Sequence, residues 1–290
     1  MASKSKISVN RRFQRSIRLD TDLSDPNALH GFICPTTFEK ALTTFSHHVK
    51  ESGQGAFTWT GPFGGGKSSL AVVLSALLSD DKKVLNSAKL LAGTAGKEVR
   101  ESLKAGSKGF RTLAVVGRKQ DCPTLIAEAM KREGMIRKPI EPGADLGERV
   151  LGSLKRLSQQ DKHAGLIVFI DEMGKVLEAA AQGEGDLHFL QELAELASRS
   201  KKKLIVIGIL HQSFGEYTGR LASRAREEWM KVQGRFVDIP LAMVADEQLA
   251  VLANAIESQP PAAAKKLATA LGKIIEQTEI KKALAYQNHC

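Results

Sequence analysis

The sequence predicts an α/β fold, a parallel sheet sandwiched by helices and closed by a short helical C-terminal segment. Three observations carry the prediction. Apolar, β-prone segments alternate with helical ones along most of the chain, the pattern of a parallel sheet with helices on both faces. Ala56-Phe57-Thr58-Trp59-Thr60 reads as a strand running into a glycine-rich turn, after which Leu70, Val73, Leu74, Leu77 and Leu78 recur as one helix face. Leu166-Ile167-Val168-Phe169-Ile170 is an unbroken apolar run with β-branched members, the composition of a strand buried on both sides, and it ends in Asp171 and Glu172.

The elements follow in order. Residues 1–30 read as a flexible basic arm, with Lys4, Lys6, Arg11, Arg12, Arg15 and Arg18 set against Asp20. Pro35 to Glu51 reads as a helix with Thr36 or Thr37 near its N-cap, and His47 and His48 on its solvated face. Asp80 to Gly109 is polar and contains Gly and Lys, which predicts a short helix with loops. Thr112 to Val116 is the next strand, and Leu125 to Arg132 a helix. A loop with Pro139 and Pro142 leads to a helix over Leu146 to Leu157. After the acidic strand, Gly183 to Asp186 break the chain. Leu187, Leu190, Leu193 and Ala197 then mark a helix, and Leu204 to Leu210 a strand. Gly219 to Lys231 is charged and helical in character, Phe236 to Ile239 a short strand. Leu249, Leu252, Ala253 and Ile256 give an amphipathic helix, and Pro260-Pro261 separates an Ala/Lys-rich terminal one.

Composition narrows the function. At 290 residues and 42% hydrophobic, the chain can build one large α/β domain and an appendage. Aromatics make up only 5%, little for base-stacking platforms. The net charge of +10 is compatible with a polyanionic partner, DNA among them. Cys34, Cys122 and Cys290 show no paired spacing, which suits a reducing cytoplasm and argues against zinc; the seven histidines form no ligand pattern. No apolar run approaches a membrane span, and the basic N-terminus lacks the apolar core of a secretory signal.

Gly61-Pro62-Phe63-Gly64-Gly65-Gly66-Lys67-Ser68 fits G-x-x-x-x-G-K-[ST], the phosphate-binding loop (P-loop) of nucleoside triphosphatases, and has the strand–loop–helix setting that loop requires. Glycines let backbone N–H groups approach phosphate oxygens, and the following helix aims its positive end at the same anion. Residues Gly61 through Ser69 are thus the candidate nucleotide-binding positions. Lys67 supplies a charge for the β- and γ-phosphates and Ser68 a hydroxyl for Mg²⁺. In the acidic motif, Asp171 would hold the Mg²⁺ shell, directly or through water. Glu172 would orient or deprotonate the attacking water.

An acid beside the metal-binding aspartate, and an intervening strand at 112–116, resemble the ATPase branch of P-loop proteins with a catalytic glutamate. No Asn-Lys-x-Asp stretch reads guanine. Within that branch, residues 31–257 resemble the AAA+ superfamily, which implies a P-loop core over 31–241 and a helical lid over 242–290. The family places a polar sensor of the γ-phosphate where the 204–210 strand ends, here Gln212 or His211. Gly234-Arg235-Phe236 with Asp238-Ile239-Pro240-Leu241 resembles the family's Gly-Arg-Phe-Asp segment, which implies that Arg235 acts as an arginine finger on a neighbour's nucleotide. Arg220, Arg224 and Arg226 are alternatives, though Glu227 and Glu228 beside them favour local ion pairs. His211 to Tyr217 with Glu228 to Phe236 also resembles large bacterial ATPases of defence against phage.

The resemblance departs at the lid. Arg235 is the last arginine, so the family's sensor arginine in the lid is missing. Either the lid is abbreviated or the chain belongs to a longer protein. The expectation is therefore a Mg²⁺-dependent, oligomeric ATPase, with two further readings kept: an ATP-binding switch or scaffold that turns over rarely, and a DNA-associated subunit using the basic arm.

Overall fold

A computed structural model describes residues 6–9, 17–23, 25, 28–29, 32–183, 185–212, 223–259 and 269. The chain divides into two compact units, Ile17–Glu247 and Met1–Ser16 with Gln248–Cys290.

The larger unit holds a five-stranded parallel sheet of β2 (Ala56–Thr60), β3 (Phe110–Val116), β4 (Gly165–Asp171), β5 (Leu204–Leu210) and β6 (Val237–Pro240), in the order β3-β4-β5-β2-β6. The helices are α1 (Leu19–Asp22), α2 (Thr36–Ser52), α3 (Lys67–Leu77), α4 (Lys82–Ser102), α5 (Cys122–Arg132), α6 (Leu146–Ser158), α7 (Met173–Ala181), α8 (Leu187–Arg199) and α9 (Ser223–Gln233); α10 (Ala245–Ala255) begins at its end.

Period-two alternation sorts the strand residues onto two cores. Phe57, Trp59, Ile167, Phe169, Ile205, Ile207 and Ile209 pack with Leu42, Phe45, Leu70 and Leu74 on one face. Leu166, Val168, Ile170, Leu204 and Val206 pack with Leu125, Val150, Leu190 and Leu193 on the other. Because β4 and β5 are buried on both sides, every residue must be apolar, which is why these strands read as unbroken apolar runs. Two buried threonines of β2 break that rule and are satisfied across the sheet: Thr58 and Thr60 donate to the Asp238 carboxylate at 2.8 and 3.1 Å.

Several elements differ from expectation. The segment 80–109 is more helical than a short helix with loops: α4 runs over Lys82–Ser102, capped by Asp81, as two helical stretches that meet at a kink where Gly93 is non-helical (φ 51°, ψ −129°), before the turn 103–109. Its alanines and Val99 bury against the core, enough to hold a weakly apolar sequence helical. The N-cap of α2 is Pro35, without a side-chain cap, and Thr36 and Thr37 follow it as the first helical residues. Within the stretch read as a flexible arm, Leu19 is buried and anchors α1, and Asp22 caps it by accepting from the Arg18 amide at 2.8 Å. In the smaller unit, β1 (Lys6–Val9) pairs antiparallel with β7 (Ile256–Gln259). Ile256 thus begins a strand instead of continuing the helix before it. The terminal helix expected after Pro261 lies outside the described residues.

Candidate functional site

Strand order creates the site. β5 lies between β2 and β4, so the C-terminal ends of these three parallel strands place Gly61–Ser68, His211 and Asp171–Glu172 side by side. This edge is where open α/β sheets bind ligands.

The loop is built from glycine where nothing else fits. A Cβ on Gly61 would lie 2.4 Å from the Leu241 carbonyl oxygen. Gly64 (φ 73°) and Gly66 (φ 75°) occupy the left-handed region, and Gly66 is the N-cap of α3. Gly65 N donates to Pro62 O at 3.2 Å, closing the turn. Phe63 stays exposed, while Ser69 is half-buried in the first turn of α3.

Lys67 is buried, and its ammonium donates to the Gly61 and Pro62 carbonyls, both at 2.7 Å. Burial pushes its pKa down, and the carboxylate of Asp171 opposes that shift. The Ser68 hydroxyl donates to Asp171 Oδ2 at 3.4 Å, and Glu172 N donates to Asp171 Oδ1 at 3.0 Å. Burial raises the Asp171 pKa above the usual carboxylate range, only partly countered by these hydrogen bonds and by Lys67. Hydroxyl and carboxylate together form a hard-oxygen donor pair that suits Mg²⁺. Among the described residues no group of three or more His, Cys, Asp or Glu could hold a metal.

Glu172 sits in the left-handed region (φ 52°, ψ 38°) as the N-cap of α7, its carboxylate ion-paired with Lys175 one turn on. The ring of His211 stacks on Phe63 with centroids 3.6 Å apart, and both its nitrogens are buried without a protein partner. Burial, then Lys67, lowers its pKa, so the ring is held neutral. Gln212, the next residue, is exposed.

Arg235 lies elsewhere. It precedes β6, whose Val237 pairs with Phe57 near the start of β2, and Gln54 donates to its carbonyl at 3.1 Å. It therefore sits at the sheet edge opposite the phosphate loop. Its guanidinium donates to Glu195 on α8 at 3.0 Å from Nε and 2.9 Å from a terminal nitrogen. Arg220 lies outside the described residues. Arg224 and Arg226 fall in α9, with their side chains not described.

Three features escaped the sequence reading. Lys175 was discoverable, because it stands three residues after Glu172 on a helix. The Phe63–His211 stack joins residues on different strands' loops. Glu247, at the start of α10, accepts from Thr37 N at 2.8 Å, Thr37 Oγ1 at 2.5 Å and Val244 N at 3.3 Å. Although burial acts to raise its pKa, these bonds hold the carboxylate below its usual range. This acid, remote in sequence, takes over the capping that Thr37 itself does not provide.

Gly117 fixes the acidic pair against β3. Its N–H donates to Asp171 O at 2.7 Å, and a Cβ there would come within 2.3 Å of Glu172 O and 2.8 Å of Asp171 O. Both obstacles are backbone and cannot rotate away. Gly117→Ala should therefore cost about 1–3 kcal/mol of stability, read by denaturant unfolding.

No protein-family model and no curated protein matches the sequence. Among solved structures, the chain is similar to Cdc6p from Pyrobaculum aerophilum, at 10% identity and TM-score 0.44, over 86% of this chain and 53% of that one. It is similar also to the ORC2 protein of Aeropyrum pernix in its ADPNP–ADP complexes, at 16% identity and TM-score 0.40, over 74% and 50%. A primosome component from Streptococcus pyogenes serotype M3 follows at 15% identity and TM-score 0.34, over 81% and 90%. The chain spans about half the length of the first two. No helix among the described residues is long and apolar enough to cross a membrane. The parallel sheet with flanking helices and the glycine loop entering α3 make this an α/β P-loop fold.

Proposed function

We propose that the chain is a Mg²⁺-dependent ATPase of AAA+ type that works as an oligomer. One observation carries the reading: Lys67, Ser68, Asp171 and Glu172 meet at the C-terminal ends of neighbouring strands, with Ser68 Oγ 3.4 Å from Asp171 Oδ2. Residues 31–241 form the catalytic core in this reading, and 242–290 an abbreviated lid.

Gly61 to Ser69 cradle the phosphates. Lys67 leaves the loop carbonyls for the β- and γ-phosphate oxygens, a short move for a flexible ammonium. Ser68 and Asp171 would hold Mg²⁺, which when bound would supply neutralising charge for the transferred phosphoryl group. Glu172 orients a water and takes its proton as the oxygen attacks the γ-phosphorus and ADP departs. The buried nitrogens of His211, or the amide of Gln212, contact that water or the γ-phosphate. Arg235 cannot reach its own nucleotide from the opposite sheet edge, so it serves a neighbouring subunit after exchanging Glu195 for phosphate. We infer a cytoplasmic setting from the free thiols Cys34 and Cys122. The likeness to phage-defence ATPases makes survival under phage challenge the cellular assay.

A second reading, a switch that retains ATP and rarely hydrolyses it, is favoured by the Lys175 ion pair, which holds Glu172 on its own helix. Steady-state ATP hydrolysis against protein concentration separates the two. An oligomeric ATPase gives specific activity that rises with concentration and vanishes in Lys67→Ala. Arg235→Ala should then lower turnover about 10³-fold or more, as other trans arginines do. Retained nucleotide with turnover no higher than Lys67→Ala means the switch. Activity independent of concentration and of Arg235 removes the trans arginine.

A further inference from the structure

The edge of the sheet opposite the phosphate loop carries a concentration of lysine. The turns entering β3, β4 and β5 span 103–109, 159–164 and 200–203. They hold Lys104, Lys108, Lys162, Lys201, Lys202 and Lys203 against a single acid, Asp161. The three turns are tied together by the register of the strands they feed. Ala164 N donates to Gly109 O at 2.7 Å, Leu166 N to Lys203 O at 2.8 Å, and Lys108 Nζ to the Asp161 carbonyl at 2.7 Å. All but Lys202 are exposed, and Lys202 is half-exposed.

The backbone gives a second, independent sign. Four non-glycine residues among those described have positive φ. One is Glu172, in the proposed catalytic site. The other three are lysines of this edge: Lys104 (φ 51°), Lys201 (φ 54°) and Lys202 (φ 69°). Glycine fills such turn positions without strain. Lysine is not the residue these left-handed positions favour, and its charge is what the three have in common.

We propose that this edge is a docking surface for the phosphate backbone of double-stranded DNA. Side-chain ammonium groups contact phosphates as point charges and read no sequence. None of the three turns contains Phe, Tyr or Trp, so unpaired bases would find no stacking partner. Lysines also offer nothing that selects a 2′-hydroxyl, which removes the reason to favour an RNA duplex. Adjacent strands lie about 4.8 Å apart, so three turns span about 10 Å, the length of about three phosphates along one DNA strand. The three turns lie at the opposite ends of the strands from the nucleotide site of the same chain.

The test is binding of a short labelled DNA duplex by the full chain, read by fluorescence anisotropy across a salt series. The key variant is Lys104→Gly/Lys201→Gly/Lys202→Gly, which removes three charges while giving each left-handed position the residue it accommodates best. Its melting temperature should hold or rise. Its affinity at low salt should fall about tenfold or more, and the slope of log affinity against log salt should shrink by about three. The triple lysine-to-arginine variant keeps the charge and should keep the slope. Lys67→Ala should bind the duplex as the parent does, so failure of the ATP reading and failure of this one are read separately. Unchanged affinity and slope in the triple glycine variant would overturn the proposal. So would tighter binding of polyglutamate, single-stranded DNA or an RNA duplex than of duplex DNA.

Discussion

Glu172→Gln should lower ATP turnover by about 10²–10⁴-fold, the usual contribution of a positioned general base, while leaving nucleotide affinity within about twofold of the parent. The amide matches the carboxylate in shape but cannot take a proton. Glu172 lies after Asp171, the proposed metal ligand, and outside the proposed phosphate cradle of Gly61 to Ser69, so binding should survive. Folding should survive as well. The Glu172 carboxylate is one third exposed and its Lys175 partner half exposed, and a pair this wet is worth about 0–1 kcal/mol. A glutamine oxygen still accepts from the Lys175 ammonium. The left-handed backbone at Glu172 is unaffected, because Gln is no more strained there than Glu. Single-turnover hydrolysis and equilibrium binding of a nucleotide, measured on one preparation, check both halves. Parental turnover in this variant would remove Glu172 from the mechanism. Lost binding would mean that its carboxylate holds the loop instead.

Asp171→Asn should act in two opposite directions. Hydrolysis should fall by about 10³-fold, because one of the two oxygen ligands proposed for Mg²⁺ is weakened, and metal charge stabilisation is worth several kcal/mol at about 1.4 kcal/mol per factor of ten. Stability of the nucleotide-free protein should rise. The sign follows from the direction of the pKa shift. Burial raises the Asp171 pKa above its unfolded value, so the folded state binds a proton more tightly than the unfolded chain. The ionised carboxylate is thus a cost to the fold at neutral pH, a cost relieved as pH falls toward the unfolded value. The neutral amide removes it at pH 7 while still accepting from Glu172 N. Thermal melts at pH 7 should show a higher Tm in the variant, and the gap should narrow on acidification. His211 works the other way. Its lowered pKa means that the unfolded chain takes up protons first as pH drops below about 6.5, so its contribution to stability is lost on acidification. A lower Tm for Asp171→Asn would show that the carboxylate's hydrogen bonds outweigh its burial. A site that holds a costly buried charge is the usual trade of stability for function.

The sequence by itself determined the strands, the glycine loop and the helix α3 that it enters, but not α7, the helix that Glu172 caps. β2 and β5 begin and end where periodicity places them, and α3 starts at the lysine of the loop. Strong local signals explain this. A strand buried on both faces must be wholly apolar, and a loop that crowds backbone against ligand must be glycine, so both constraints are written residue by residue. The same locality failed in 80–109, where a weakly apolar helix is held by packing against the core. It failed again at β1 and β7, whose pairing joins opposite ends of the chain.

Only the tertiary structure decided which side chains share a place. Strand order put His211, rather than the neighbouring Gln212, against Phe63. Parallel register moved Arg235 to the far edge of the sheet and gave it Glu195. A carboxylate from position 247 took the start of α2 from Thr37's own hydroxyl. That register also gathered lysines from three separate turns onto one edge. Each is a contact between residues distant along the chain, and neither residue's local pattern encodes its partner. The chemistry of the P-loop is local and legible, whereas the geometry that surrounds it comes from the way the strands are ordered.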